Sequence, residues 1–401
     1  MELDVIRLGV VGLGKMGLSH LAIFKAHPEV ELAAVCDSTG YVLDVLAKYT
    51  GVTTYKDMGV MLREARLDAV VIATPSHLHA PMVRSALEAG VHVFCEKPFT
   101  LDDADGQALT QLAAERGLVT QVGYHNRFVA AFGELKALIE SGALGDVTHV
   151  VAEAYGPVVL APKGGTWRSR KSSGGGCLYD YAAHPIDLVQ WYLGSPTSVA
   201  GSRLNRIFSA ETDDEVVSTL MYPDDVTAQV SVNWSDESQR KMTTKISVWG
   251  TAGRAFADRQ ELQVYLRDTA PVPEGYRTGW NVRYTTELSE QPWFYLRGEE
   301  YSAQADAFVQ RVKARSREGA NTFESGVATD RILTMISRDA AAAASAPAAS
   351  EPLGTISTNL PLNGRPTSTT TTRRRRSLPG RVPAALRTLR TLRPRRSRKA
   401  A

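Results

Sequence analysis

The sequence predicts an α/β domain on a parallel, doubly wound sheet, then an α+β domain with a large, mostly antiparallel open sheet, then a disordered basic tail. Three observations carry this. Up to about residue 125, short apolar runs alternate with helical stretches, and the runs lack the alternation of a half-solvated strand. That is the pattern of parallel strands covered on both faces. After Asn126 the runs alternate polar with apolar residues, as antiparallel strands with one exposed face do. From Ser345 the composition narrows to Ala, Pro, Ser, Thr and Arg. Such a segment cannot bury enough apolar surface to offset its ordering entropy.

The elements follow in order. Leu8-Gly9-Val10-Val11 reads as a strand and Met16 to Ala26 as a helix. Leu32 to Cys36 is a second strand, Asp44 to Ala47 begins an amphipathic turn, and Ala69 to Ala73 is a third strand. A helix over Met82 to Ala89 leads to a strand ending at Glu96. Ala104 to Arg116 is helical and Val119 to Gly123 extended. In the second part, Phe132 to Ser141 and Leu178 to Tyr192 read as helices. Val147–Tyr155, Val216–Met221, Thr227–Asn233, Lys245–Trp249, Gly253–Ala257 and Leu262–Leu266 read as strands. The stretch Tyr276 to Trp280 reads as irregular, and helices resume over Glu300–Arg315 and Val327–Ala344. The division is therefore 1–125, 126–344 and a tail of 345–401.

The chain has 401 residues and a net charge of +3, but the balance is uneven. Residues 365–401 hold 13 Lys and Arg and no Asp or Glu, so residues 1–364 sum to −10. An acidic body argues against a polyanion-binding enzyme surface. Leu386, Leu389 and Leu392 recur among arginines, which leaves a membrane or nucleic-acid contact by the tail as an alternative to a functionless extension. Cys36, Cys95 and Cys177 have no metal-ligand spacing. With no export signal and no membrane-length apolar run, the expected location is the cytoplasm.

Gly12-Leu13-Gly14-Lys15-Met16-Gly17 lies between a strand and a helix, the context of a dinucleotide fingerprint. Gly12 permits the turn, Gly14 lets backbone approach a pyrophosphate, and Gly17 allows close helix packing. Asp37 lies 20 residues beyond Gly17 at a strand end, where an acid bonds the ribose hydroxyls and repels a 2′-phosphate. NAD is expected over NADP. Thr74 and Pro75 follow the next central strand and would cover the dinucleotide. His79 is either a site residue or a polar group at a helix start.

Glu96-Lys97-Pro98 closes the strand Val91 to Cys95. Ligands bind outside the carboxyl ends of such strands, so Lys97 becomes a candidate site cation. The tripeptide alone suits a surface turn equally. Asp180, His184 and Asp187 stand on one predicted helix at spacings of four and three, so a histidine lies between two carboxylates. That arrangement tunes a general base; zinc is the rejected alternative, for want of Cys or His pairs with metal spacing.

In these pieces, and in Gly123-Tyr124-His125-Asn126-Arg127-Phe128, the chain resembles the glucose–fructose oxidoreductase/inositol dehydrogenase (Gfo/Idh/MocA) family over about residues 5–345. The resemblance implies a Rossmann domain and an open sheet that forms a dimer or tetramer interface. It implies hydride transfer between nicotinamide and a carbon of a sugar or polyol. Lys97 would polarise the reacting oxygen, His184 would take its proton, and Asp180 would orient the substrate or the histidine. Gly12, Leu13, Gly14, Lys15, Met16, Asp37, Thr74, Pro75, His79, Glu96 and Lys97 would hold the cofactor. Asn126, Arg127, Trp167 and Arg168 join Lys97, Asp180 and His184 as candidate substrate contacts. Two alternatives stand beside a free sugar or polyol: a nucleotide-linked sugar, and a non-enzymatic NAD-binding regulator.

Overall fold

Two sheets set the architecture. In the computed structural model, which describes residues 5–162 and 166–345, the first sheet holds β1 (Ile6–Val11), β2 (Val30–Cys36), β3 (Thr53–Tyr55), β4 (Ala69–Ile72), β5 (His92–Cys95) and β6 (Thr120–Val122). All its pairings are parallel, in the order β3-β2-β1-β4-β5-β6. The order reverses between β1 and β4, which opens a crevice at their carboxyl ends. The helices α1 (Lys15–Ala26), α2 (Gly40–Thr50), α3 (Met58–Glu64), α4 (His79–Glu88) and α5 (Asp103–Glu115) connect these strands. Val70, Val71, Val93 and Phe94 are fully buried, as strands covered on both faces must be.

After α6 (Ala130–Glu140) comes β7 (Val147–Tyr155), then α7 (Ala183–Leu193), entered through a π-helical turn over Leu178–Ala182. The second sheet adds β8 (Ser198–Asn205), β9 (Glu215–Met221), β10 (Thr227–Asn233), β11 (Thr243–Gly250), β12 (Gly253–Ala257), β13 (Glu261–Leu266) and β14 (Gly279–Tyr284). Its order is β14-β13-β12-β11-β7-β10-β9-β8, antiparallel except for β7 with β10. One face buries Val150, Ala152, Val230 and Ile246 in a core shared with Phe132, Leu135, Ile186 and Val189 of α6 and α7. The other exposes Val217, Tyr265, Trp280, Val282 and Tyr284. The expected irregular stretch thus ends in a strand. The alternation Trp280, Val282, Tyr284 pairs with β13, and Trp280 stands opposite Tyr265.

The short α8 (Thr285–Leu288) precedes α9 (Glu299–Ala314) and α10 (Phe323–Ser345). Helix α9 returns from the second part of the chain to the first sheet. Tyr301, Ala305, Phe308, Val309 and Val312 of α9 share a core with Ile6, Phe24 and Phe94 of the first sheet. The first layer is completed by a helix from the far end of the chain, and residues 5–345 lie within one compact unit. Among the described residues no helix is long and apolar enough to cross a membrane. The expectations for the tail lie outside the described residues, except that Ser345 ends α10.

Candidate active site

The loop after β1 uses its three glycines in three ways. Gly12 has φ +85°, and a Cβ there would lie 2.7 Å from Ala73 O. At Gly17 a Cβ would lie 1.7 Å from Gly12 O, so α1 can close on the loop only with glycine there. At Gly14 a Cβ meets nothing within 4 Å: the backbone borders open space at the N-terminus of α1. Free amides and an approachable backbone fit a pyrophosphate. Asp37, at the end of β2, accepts from Leu13 N at 2.6 Å and Thr39 N at 2.7 Å. It therefore clamps the loop from the end of β2. Leu13 is buried, Lys15 exposed and Met16 half-buried. Thr74 and Pro75 are half-buried after β4, and Thr74 stands beside Gly12.

At the end of β5 the Lys97–Pro98 peptide is cis. Lys97 Nζ donates to Asp180 Oδ1 at 2.9 Å and to Asp180 O at 2.7 Å. Pro185 has no N–H to return to the preceding helical turn, and Asp180 lies in that turn. Arg168 Nε donates to Asp180 Oδ2 at 2.8 Å. Burial pushes the Asp180 carboxyl up, but Lys97 and Arg168 outweigh burial and hold it at about 2. Lys97 is thereby oriented by a carboxylate that stays ionised.

His184 does not lie between carboxylates, contrary to the sequence expectation. Asp180 is engaged by Lys97 and Arg168. Asp187 is engaged by Arg127, whose Nη2 and Nε donate to it at 2.6 and 2.9 Å, and by Thr329. Both acids are neutralised by cations already, which also removes the Asp–His–Asp zinc alternative. The His184 ring is buried and its Nδ1 has no partner. Burial, then the charges of Lys97 and Arg259, hold it well below the usual imidazole range. It stands as a neutral base.

Four other expected contacts are reassigned by geometry. Arg127 is buried with its guanidinium on Asp187, Gln190 and Ala320 O, so it braces α7 and has little left for a substrate. Asn126 is sealed, with Nδ2 3.4 Å from Thr244 Oγ1. The ring nitrogens of His79 lie 2.9 Å from Pro98 O and 3.0 Å from Thr74 O. Donating to both requires an imidazolium, which burial opposes. His79 ties the Thr74 loop to the Lys97 turn. Glu96 is also buried, 2.7 Å from His20 Nε2 and 3.1 Å from Lys97 N. Burial raises its pKa, but His20 and Lys97 outweigh this and hold the carboxyl low. Glu96 thus pins α1 to the turn. Trp167 and Arg168 remain accessible, the guanidinium 4.8 Å from the indole ring.

Two family models match the chain: "Oxidoreductase family, NAD-binding Rossmann fold" over residues 6–124 and "GFO/IDH/MocA C-terminal domain" over residues 132–256. The chain belongs to the Gfo/Idh/MocA oxidoreductase family. A dTDP-3,4-didehydro-2,6-dideoxy-alpha-D-glucose 3-reductase from Streptomyces violaceoruber is 34% identical over 200 residues, 50% of this chain and 58% of that protein. A myo-inositol 2-dehydrogenase from Thermotoga maritima is 27% identical over 322 residues, 77% of this chain and 89% of that protein. Among solved structures, GenD2 from gentamicin A biosynthesis in complex with NAD aligns with a TM-score of 0.69 at 27% identity, covering 85% of this chain and 95% of that one. The chain spans 56–66% of the length of six curated relatives, the dTDP-sugar reductase among them.

Three site residues of this Gfo/Idh/MocA oxidoreductase carried no assigned role in the sequence reading. His20 holds Glu96, and its signal was a histidine on the inner face of the fingerprint helix. Arg259, in the turn between β12 and β13, pairs with Glu300 and acts on His184 across the fold; nothing local marks it. His125 is buried, with its ring centroid 4.9 Å from that of His184. The motif containing it was visible, but its neighbour was not.

Proposed function

We propose that this protein is an NAD(H)-dependent oxidoreductase that moves a hydride between nicotinamide and a carbinol or carbonyl carbon of a sugar or polyol. The carrying observation is the convergence of Lys97, fixed by Asp180, with the buried neutral His184, next to strand ends that suit a dinucleotide. The bound nicotinamide supplies the hydride acceptor. The chain supplies the rest. Lys97 positions the substrate oxygen and stabilises its developing negative charge. His184 takes the hydroxyl proton. Arg168, with only Nε engaged by Asp180, and the Trp167 face are available to the sugar ring. Asp37 favours NAD by meeting a ribose diol and repelling a 2′-phosphate.

The presence of a bonded Lys97–Asp180 pair whose lysine charge acts on a buried His184 argues against a non-enzymatic regulator. The open face of the second sheet, with Tyr265, Trp280, Val282 and Tyr284 exposed, supports a homo-oligomer through that sheet. A nucleotide-linked sugar is the second reading. It draws on the dTDP-sugar reductase among the relatives and on a cavity of about 860 Å³ past Thr244 and Arg259, where Arg240 and Lys241 stand. The test follows NADH absorbance with inositols and hexoses against UDP- and dTDP-sugars, in both directions. Turnover of free polyols or hexoses is the expected result. Turnover of nucleotide sugars alone selects the second reading, and no turnover with either class refutes both.

A further inference from the structure

We propose that Asp213 and Pro185 are positioning residues for Lys97. From its two ends they hold the π-helical turn Leu178–Ala182 so that the carboxylate and the backbone carbonyl of Asp180 both serve Lys97 Nζ. The inference rests on the dehydrogenase reading above, in which Lys97 steadies the substrate oxygen. It starts from an uncommon pair of bonds. Lys97 Nζ donates to Asp180 Oδ1 at 2.9 Å and to Asp180 O at 2.7 Å. A helix ordinarily gives its carbonyls to amides of its own next turn. Here one of them serves a lysine 83 residues away. A lysine ammonium sits on a long flexible stem, so one acceptor leaves it free to swing. Two acceptors on one residue fix it, and the place of the turn becomes the place of Lys97.

Pro185 acts at the far end of the turn. Within the turn the bonding runs five residues back, from Ala183 N to Leu178 O. Carried two residues on, that register assigns Asp180 O to the amide of residue 185. Pro185 has no such amide. The proline thus removes the donor that would compete with Lys97 for this carbonyl. It lies buried in the first turn of α7, where a helix tolerates proline best.

Asp213 acts at the near end. The turn has no cap of its own: Gly176 carries no side chain, and Cys177 makes no side-chain bond to the helix it precedes. Asp213, just ahead of β9, supplies the cap from 35 residues away. Leu178 N donates to Asp213 Oδ2 at 2.6 Å, and Cys177 N to Asp213 O at 2.9 Å. A side-chain oxygen on the first amides is what an N-cap residue ordinarily provides. Gly176 has φ +117°, and a Cβ there would fall 2.5 Å from Asp213 Oδ1, so glycine lets the turn close on the acid. Asp180 N donates to Gly176 O at 3.1 Å, which ties residue 180 to the same anchor. Both residues therefore act through Asp180 and not on the reacting atoms.

The test uses the full chain with Pro185→Ala, which gives residue 185 an amide, and Asp213→Ala, which removes the acceptor for Leu178 N. At a temperature where circular dichroism shows each variant folded, kcat should fall by about 10- to 100-fold, the cost of a misplaced reacting group. Dinucleotide affinity by calorimetry should stay within about twofold, because the fingerprint loop after β1 is untouched. Asp213→Asn, which keeps an acceptor for Leu178 N, should recover most of the rate lost in Asp213→Ala. A second readout needs no substrate: trace acetylation of lysines in the NAD-free protein, read by mass spectrometry. Relative to exposed lysines, Lys97 should be labelled about fivefold faster in both alanine variants, as the loss of one net hydrogen bond predicts. Residues that only support the fold would lower the unfolding midpoint and leave that ratio, and the kcat of folded protein, unchanged. Such a result in one variant removes that residue from the proposal, and in both overturns it. Absence of any wild-type turnover counts against the dehydrogenase reading, while the labelling still decides whether Lys97 is held through this turn.

Discussion

Asp330 offers a test of the electrostatics that needs no substrate. It lies on α10, 3% exposed, with Oδ2 accepting from Thr100 N at 2.7 Å, two residues beyond Pro98. Its Oδ1 has no partner. Burial, opposed by amides of Thr100 and Phe99, raises its carboxyl from 3.8 to about 8. A raised carboxylate pKa means that the folded state holds a proton the unfolded chain has released. Stability therefore falls as pH rises through the window between 3.8 and about 8. At about 1.4 kcal/mol per unit, the full shift corresponds to about 6 kcal/mol, present below the window and lost above it. Asp330→Asn keeps an acceptor for Thr100 N and cannot ionise. Urea unfolding of wild type and variant from pH 4 to pH 9 isolates the effect, because other titrating groups largely cancel in the difference. The variant should gain on wild type steadily through the window and be clearly more stable at its upper end. Parallel stability curves would mean that Asp330 ionises normally and that its buried setting is misread.

The catalytic assignments predict that Lys97→Ala and His184→Ala each lose roughly 10²- to 10⁴-fold in kcat while dinucleotide binding, followed by calorimetry, is retained. Full activity in either variant would remove that residue's role. Asp37→Ala should shift the NAD/NADP ratio of kcat/KM towards NADP by at least about tenfold, and an unchanged ratio would mean that the acid is not at the ribose. Gly17→Ala should cost at least about 3 kcal/mol in thermal or urea unfolding, since its Cβ would overlap Gly12 O. Gly14→Ala should leave stability nearly unchanged and weaken dinucleotide binding, because that Cβ meets only open space. Equal effects of the two alanines would refute the distinction.

Much of this was legible in the chain because the signals were local. Strand–glycine loop–helix, an acid at the next strand end and a lysine after β5 are each defined within a few residues. Strand order follows once those ends must share a crevice. What was not legible depended on partners far away in sequence. Arg127 and Asn126 read as substrate contacts because their neighbours resemble a site loop. Their partners Asp187 and Thr244 lie 60 and 118 residues away and take them into the interior. His184 read as flanked by acids because helix spacing was the visible relation, whereas Lys97 reaches Asp180 across 83 residues. The return of α9 to the first sheet was hidden for the same reason. The aromatic face of α9 fits a surface in the first sheet that no local pattern announces. The Trp-Val-Tyr alternation of β14 was local and passed over, and β3, α3 and β8 were not read from the sequence either.

The setting of His184 also decides how the two directions of reaction respond to pH. Oxidising a carbinol releases one proton, so the ratio of forward to reverse kcat/KM must change tenfold per pH unit. Thermodynamics does not say which direction carries that change; the pKa of the base does. Burial and the cations Lys97 and Arg259 keep His184 neutral through the physiological range. The oxidative direction then finds its base ready, and its kcat/KM should be flat from pH 8 down to pH 6, below the usual imidazole midpoint. The reductive direction needs His184 protonated and should rise about tenfold for each unit of acidification over the same interval. Had the histidine been held between Asp180 and Asp187, as its sequence neighbours suggested, its pKa would be raised and the dependence would fall on oxidation. Profiles of kcat/KM in both directions distinguish the two. A tenfold-per-unit loss of oxidation between pH 8 and pH 6 would show that a carboxylate reaches His184 in the working enzyme after all.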